Sequence, residues 1–420
     1  MSKERDASAI DSTSTFTDGQ SCEASNAASA AVSGALNDGR DDFPIIVHCH
    51  LRWDFVWQRP QQIFSRLARR HPILFIEDPV IAEGEPHLAI DEPYPNLVRI
   101  VPQIPQALAV NADRDAEIFL PMIRSALHTH PRLVGRFDRP VHWFYSPMPA
   151  PGYMGQFGAV GVVYDCMDEL ANFRFAPADI ADRERFVMSN ADVVFTGGYQ
   201  LFDSKSKHHD NVHVYGCGVD VEHYSKARNP ATEIPAAVAA TPGPRFGYFG
   251  VIDERLDYEL IAALADRFPE ASIVMAGPLA KVDPADLPKQ PNIHWLGQQR
   301  YDDLPAIVKG FDVCLMPFAL NEATRYINPT KTLEYMAGGK PIVSTAVADV
   351  VRNFTPIVDV ARSHADFLDA VERAWRRPDT DLIAQGTERA AGSSWDATVD
   401  AMRNDVQQAV WASVPTQAAA

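Results

Sequence analysis

Short apolar runs alternate along this chain with longer segments in which apolar residues return every three or four positions. The first run, Ile45-Ile46-Val47-His48-Cys49, predicts a strand buried on both faces, because a strand with one wet face would alternate apolar and polar residues. A loop from Leu51 to Pro60 and a helix over Gln61–Arg70 follow it. Further strands are predicted at Ile73–Ile76, Leu97–Val101, Val141–Tyr145, Gly161–Tyr164, Val193–Thr196 and Val212–Tyr215. Helices are predicted over Ala112–His128, Ile180–Ser189 and Tyr199–Ser206. Short apolar strands separated by helices imply a parallel sheet covered on both faces.

Residues 226–244 break this rhythm, being rich in Pro and Ala without amphipathic period, as in a linker between domains. A second series then starts. It places strands at Arg245–Phe249, Ser272–Ala276, Ile293–Leu296, Val313–Met316 and Pro341–Ser344, and helices at Leu256–Phe268, Tyr301–Lys309 and from Asn328 onward. Helices near His364–Trp375 and Ser394–Trp411 follow, the last expected to pack across the domain junction. At the other end, residues 1–42 are rich in Ser, Ala, Thr, Asp and Gly and hold almost no large apolar side chain, so they read as a disordered acidic tail. The expected organisation is a tail (1–42), an α/β domain (43–225), a linker (226–244), a second α/β domain (245–392), and a C-terminal helix and tail (393–420).

Length supports two cores, since 420 residues exceed one ordinary domain. A formal net charge of −17 argues against broad nucleic-acid binding, which relies on Lys and Arg neutralising phosphates. The five cysteines are scattered singly, so neither a zinc cluster nor a disulfide framework is indicated. No signal-peptide core and no run of about 18 apolar residues occurs, and a cytoplasmic location is expected.

The segment Asn328-Pro329-Thr330-Lys331-Thr332-Leu333-Glu334 has the chemistry of an anion site. Asn328 suits a helix N-cap and Pro329 the first helical position, while Gly338-Gly339 supply a left-handed end. The first helical turn offers free N–H groups, Lys331 adds a charge beside them, and Glu334 lies on the same face with two oxygens suited to a vicinal diol. Phosphate plus diol suggests a nucleotide. An exposed Lys-to-Glu pair worth roughly 0.2–0.5 kcal/mol on an ordinary surface helix reads the same local pattern differently.

Two Rossmann-like doubly wound domains in tandem, with nucleotide-like elements in the second, resemble the GT-B glycosyltransferase architecture, in which both domains face a cleft. Three segments carry a resemblance to family-4-type retaining glycosyltransferases (glycosyl transferases group 1). Phe246-Gly247-Tyr248-Phe249-Gly250 resembles the family's strand and glycine loop, Gly216 to Tyr224 its segment closing the first domain, and Glu334 to Val343 its signature around the donor helix. The stretch His50 to Leu67 is similar to the TuaH-type bacterial subgroup.

The resemblance implies that Glu334 binds the donor ribose, Lys331 the diphosphate, and the helix start at Asn328, Pro329 and Thr330 the distal phosphate, with Gly250 in the glycine loop. The family carries another Glu eight positions before Glu334, where this chain has Tyr326; Glu322 substitutes only if its loop folds back. The family's strand-end His falls at Met167, which leaves Asp168 or Asp165 as candidates for the reacting centre, although Asp in such positions also caps turns. Arg255 is a candidate second phosphate ligand, or a surface partner of Asp253 or Asp257. Asp54 and Arg59 follow the first strand, where an acceptor would enter, and one of His48 and His50 is expected to be a core histidine.

Arg59, Arg66, Arg69 and Arg70 share a helix with Ile63, Phe64 and Leu67, a face suited to anionic lipid, though any helix covering a sheet has an apolar face. The implied function is transfer of a hexose, with retention, from a UDP-, GDP- or dTDP-sugar to a polysaccharide or polyprenyl-linked glycan. No metal or other cofactor is expected, and peripheral contact with the inner membrane stays open. A nucleotide-sugar epimerase or hydrolase of the same fold and a non-catalytic partner in polysaccharide assembly are the alternatives.

Overall fold

The computed structural model describes residues 42–411. Apart from Asp42, whose carboxylate pairs with Arg70, the expected N-terminal tail lies outside the described residues, as do residues 412–420.

Strand β1 (Ile45–Cys49) is buried along its whole length and is flanked by two parallel neighbours. Its run of apolar residues has no wet face to serve. The chain continues through α1 (Arg59–Leu67), β2 (Ile73–Glu77), β3 (Val80–Ile81), β4 (His87–Tyr94), β5 (Leu97–Ile104) and α2 (Ala112–Thr129). Then come β6 (Val141–Phe144), α3 (Ala150–Tyr153), β7 (Gly161–Cys166), α4 (Ile180–Asn190), β8 (Val193–Thr196), α5 (Tyr199–Lys205), β9 (Val212–Val214) and α6 (Val221–Ser225). The strands form one sheet in the order β3-β5-β2-β1-β6-β7-β8-β9, with β4 added beside β5. Only the β4–β5 pairing is antiparallel, which departs from the all-parallel expectation. Strand β4 was not anticipated because it is an outer strand in which Asp91 and Glu92 are exposed, so it lacks the apolar run of a central strand.

After α7 (Ala236–Ala239), the second series runs β10 (Arg245–Phe249), α8 (Tyr258–Arg267), β11 (Ser272–Ala276), β12 (Ile293–Gly297), α9 (Leu304–Lys309), β13 (Val313–Met316), α10 (Lys331–Ala337) and β14 (Ile342–Thr345). It ends with α11 (Ala348–Phe354), β15 (Asp359–Ala361), α12 (His364–Arg376), α13 (Thr380–Ala391) and α14 (Trp395–Trp411). These strands form a parallel sheet in the order β12-β11-β10-β13-β14-β15. The order reverses between β10 and β13, so the crevice at their carboxyl ends is where an open α/β sheet receives a ligand.

Helix α14 returns to the first half. Trp395, Val399, Met402 and Val406, spaced at three and four residues, join the core that holds β1 and α1. Trp395 seats against Gly218, where a β-carbon would come within 2.9 Å of it. Arg66 and Arg69 both pair with Asp396, at 3.1 and 2.6 Å. Of the two readings of α1, the structure bears out the ordinary covering helix, since Ile63, Phe64 and Leu67 are buried in the protein core and two of the arginines are engaged by α14.

Candidate active site

Between the two sheets lies a cavity of about 820 Å³ lined from both halves of the chain. Its second-half wall is built on two glycines at strand ends. Gly250 follows β10 with φ +138°, and Gly277 follows β11 with φ +157°. A β-carbon on Gly277 would overlap the Gly250 carbonyl, and one on Gly250 would stand 2.5 Å from Lys331 Nζ. Glycine is needed at both, for the backbone conformation and for the close approach.

Lys331 opens α10 and is held over two aromatic faces, its Nζ 5.3 Å from the Tyr248 ring centre and 6.0 Å from that of Phe249. Burial pushes the Lys331 ammonium below its ordinary pKa, and the neighbouring Glu334 opposes the shift. Glu334 is itself buried, which raises its carboxyl to about 7 against the opposing influence of Lys331, the Tyr224 hydroxyl and Thr330. Half-buried Lys331 and buried Glu334 thus influence one another's charge on the cavity wall rather than forming an exposed pair.

Pro329 and Thr330 also line this wall, but the start of the helix differs from expectation. Helix α10 has seven residues with Thr330 at its N-cap. Asn328 is not the cap: its Nδ2 donates to the Gly197 carbonyl of the first half at 2.9 Å. Arg255 lines the cavity and grips Asp253, donating from Nε at 3.0 Å and from Nη2 at 2.7 Å; burial works against the guanidinium charge, and Asp253 beside it keeps the Arg255 pKa above its ordinary value.

On the facing wall Asp168 lines the cavity. Burial raises its carboxyl to about 6, with Arg255 and Arg59 pulling down and Asp253 pushing up. Asp165 stands apart from it. Although proposed from sequence beside Asp168, it is fully buried, does not line the cavity, and accepts from Arg59 Nε at 3.0 Å. Arg59 also donates to the Tyr215 carbonyl at 2.7 Å. Arg59 itself lines the cavity, and Asp165 behind it is tied up in this pair, which corrects the reading of Asp165 as a reacting group.

Asp54 reaches the cavity mouth, where its carboxylate pairs with Arg99 at 2.5 Å. Glu322 and Tyr326 do not line the cavity. Glu322 is exposed and pairs with Arg325 at 3.7 Å, so its loop does not fold back to replace the missing Glu. Tyr326 packs against the first-half core, with Arg325 over its ring. Met167 does line the cavity, at the position of the family's His. His48 is the core histidine, paired with His142 at 3.0 Å.

Several lining residues escaped sequence reasoning. Tyr224 sits beside Glu334, and Tyr301 stacks on His223 with centres 4.2 Å apart while Gln62 donates to its hydroxyl at 3.0 Å. Trp57 meets Tyr301 at 5.5 Å, and Gln298 donates from Nε2 to the Phe55 carbonyl at 2.6 Å. The loop after β1 therefore closes against the segment after β12. Tyr224 lay inside the quoted segment 216–224; the other contacts join residues far apart in sequence and leave no local signal. Among the described residues no cluster of His, Cys, Asp and Glu with metal-site geometry is present, and no helix is long and apolar enough to cross a membrane.

Residues 244–377, which carry Gly250, Arg255, Lys331 and Glu334, match the family described as glycosyl transferases group 1. The chain is 26% identical over 231 residues to a Bacillus subtilis (strain 168) protein named for teichuronic acid biosynthesis, glycosyltransferase TuaH; the match takes in 50% of this chain and 58% of that relative. The fold is GT-B. It superposes on the sucrose-phosphate synthase of Thermosynechococcus elongatus with a TM-score of 0.67 at 16% identity, covering 88% of this chain and 100% of that one. A Burkholderia xenovorans alpha,alpha-trehalose-phosphate synthase in complex with glucose-6-phosphate aligns with a TM-score of 0.62 at 12% identity, over 87% and 100% of the two chains. An E. coli structure described as trehalose-6-phosphate bound with UDP-2-fluoro glucose gives 0.60 at 12% identity, over 87% and 99%. Within the matched residues, the segment from Asn328 to Glu334 stands at the switch point of the second sheet, on the wall of the interdomain cavity.

Proposed function

We propose that the protein transfers a hexose from a nucleoside diphosphate sugar to a hydroxyl of a polysaccharide or polyprenyl-linked glycan, with retention at the anomeric carbon. The observation that carries this reading is half-buried Lys331 and buried Glu334 set beside Gly250, on one wall of a cavity whose other wall presents Asp168. A cation at the strand-end glycine suits a diphosphate, and a carboxylate one helical turn further suits a ribose diol.

In the reaction the bond between the anomeric carbon and the diphosphate oxygen breaks, and the acceptor oxygen bonds to that carbon on the same face. The acceptor proton passes to the departing phosphate oxygen. Lys331 and Arg255 stabilise the charge that collects on the leaving diphosphate. Asp168, ionised above about pH 6, faces the developing positive charge at the sugar. Asp54 at the cavity mouth is placed to orient the acceptor. Support for a sugar nucleotide comes from the matched family and from the UDP-sugar named for an E. coli structure of the same fold.

Thermal stabilisation by a panel of UDP-, GDP- and dTDP-sugars, followed by turnover with and without a glycan acceptor, tests the proposal. Acceptor-dependent release of nucleoside diphosphate is expected. Release without acceptor points to a hydrolase, and absence of stabilisation by every nucleotide sugar points to a non-catalytic partner.

A further inference from the structure

Asp349, in the first turn of α11, is fully buried, yet it belongs to the second half and faces the first. Its carboxylate enters a notch at Gly198, where a β-carbon would overlap Oδ2 and stand 3.1 Å from Asn328 Cβ. The amides of Tyr199 and Gln200, at the start of α5, face the carboxylate and oppose the rise that burial imposes on its pKa. Neither oxygen closes a hydrogen bond of ordinary geometry, so the amides act on it as oriented dipoles. One turn on, Arg352 lies 4.0 Å over the Tyr199 ring and 3.3 Å from the Asp203 carboxylate.

The notch leads directly to the cavity. Gly197 accepts from Asn328 Nδ2, and its own α-carbon packs so tightly on the strand-end segment that a β-carbon would come within 3.1 Å of the Met167 carbonyl. Met167 is followed by Asp168, and Asn328 is followed within three residues by Lys331. A continuous line of contact therefore runs from Asp349 through Gly198 and Gly197 to both walls of the site.

We propose that Asp349 is a positioning residue, seated in the Gly198 notch so as to lock the two halves at the separation that sets Asp168 opposite Lys331. Burial without a closed hydrogen bond is a cost that opening would relieve, so what seats Asp349 is the fit of its side chain over Gly198, together with the neighbouring contacts of Arg352 to Tyr199 and Asp203. This inference rests on the transferase reading for its kinetic consequence, but the lock itself is a property of shape.

The test compares wild type with Asp349→Ala, Asp349→Asn and Gly198→Ala. Gly198 has φ −168° and ψ 172°, a conformation open to any residue, so alanine there acts only by striking the Asp349 and Asn328 side chains. Asp349→Ala and Gly198→Ala are each expected to show a larger radius of gyration by small-angle X-ray scattering and a transfer rate lower by about ten-fold or more, with UDP affinity within about two-fold of wild type, whereas the isosteric Asp349→Asn keeps the fit and should match wild type in radius and rate. The double variant Gly198→Ala/Asp349→Ala should lose less than the sum of the two single losses, because both lesions strike the Asp349 contact and only the approach to Asn328 Cβ remains in the double variant. An unchanged radius in both Asp349→Ala and Gly198→Ala overturns the lock even if turnover falls, and so do unchanged turnover in both, a radius or rate altered in Asp349→Asn as much as in Asp349→Ala, or additive losses in the double variant. Should Asp349→Ala fail to fold by circular dichroism, Gly198→Ala decides. A wild type that turns over no nucleotide sugar overturns the transferase reading, while the scattering comparison still decides the lock.

Discussion

Lys331 Nζ stands 2.5 Å from the point where a β-carbon on Gly250 would fall. The lysine at the head of α10 and the glycine after β10 thus form one device, in which the absence of a side chain leaves room for a cation. Gly250→Ala is expected to push the lysine head aside and to strain a backbone at φ +138°, a conformation that costs an L-residue about 1–3 kcal/mol. The protein should remain folded, because the clash is with the mobile end of a long side chain. UDP affinity measured by calorimetry should fall about ten-fold or more, close to the effect of Lys331→Ala.

Glu334 gives a prediction in which stability and binding move in opposite directions. Burial raises its carboxyl from the ordinary 4.5 to about 7, so the folded protein binds this proton more tightly than the unfolded chain does. Stability from this group is complete below pH 4.5 and is lost as the pH rises through about 7, by roughly 3 kcal/mol at most. Glu334→Gln removes the loss. Its melting temperature should exceed that of wild type at pH 8 and match it more closely at pH 4.5, while its affinity for UDP at pH 8 is weaker. A variant less stable than wild type at pH 8 contradicts the assignment.

Asp165 and Arg59 should behave as structure rather than as chemistry. Removing one partner of a buried ion pair leaves the other charge stranded, at a cost of about 3–5 kcal/mol. Asp165→Ala is therefore expected to lower the denaturant midpoint sharply, with any loss of activity following loss of fold. A folded, fully stable Asp165→Ala protein without activity would return this residue to the reaction.

These residues also show how far the sequence could be read. Strand β10 was legible to the residue, because an apolar run between Pro244 and Gly250 has one physical reading. The carboxylates three positions apart at the end of β7 were not separable, since the guanidinium that claims Asp165 lies 106 residues away. The same holds for Asn328, whose local pattern is that of a helix cap but whose amide is taken by Gly197, 131 residues distant. Glycine and lysine motifs announced a nucleotide wall; what faces that wall depends on how two sheets meet. Asp349 left no local mark at all, because its role exists only where a glycine from the other half makes room for it.

Asp168 carries the last prediction. It is the carboxylate of the first half that reaches deep into the cavity, and its partners place it in a field of opposing signs: Arg255 and Arg59 favour its charge, Asp253 and burial resist it. With its carboxyl at about 6, it is mostly ionised at pH 7 and mostly protonated at pH 5. If the anion faces positive charge gathering at the sugar, the transfer rate should rise through pH 6 and level off above it. Asp168→Asn keeps the shape and abolishes the charge, so it should lower turnover by about a hundred-fold or more while leaving UDP affinity within about two-fold. The residual rate should no longer depend on pH between 5 and 7. A pH step near 6 that survives in Asp168→Asn would assign that step to another group, with Glu334 at about 7 the nearest alternative. The two are separable by where the step appears: protonating Glu334 weakens nucleotide binding and raises KM, whereas protonating Asp168 lowers kcat.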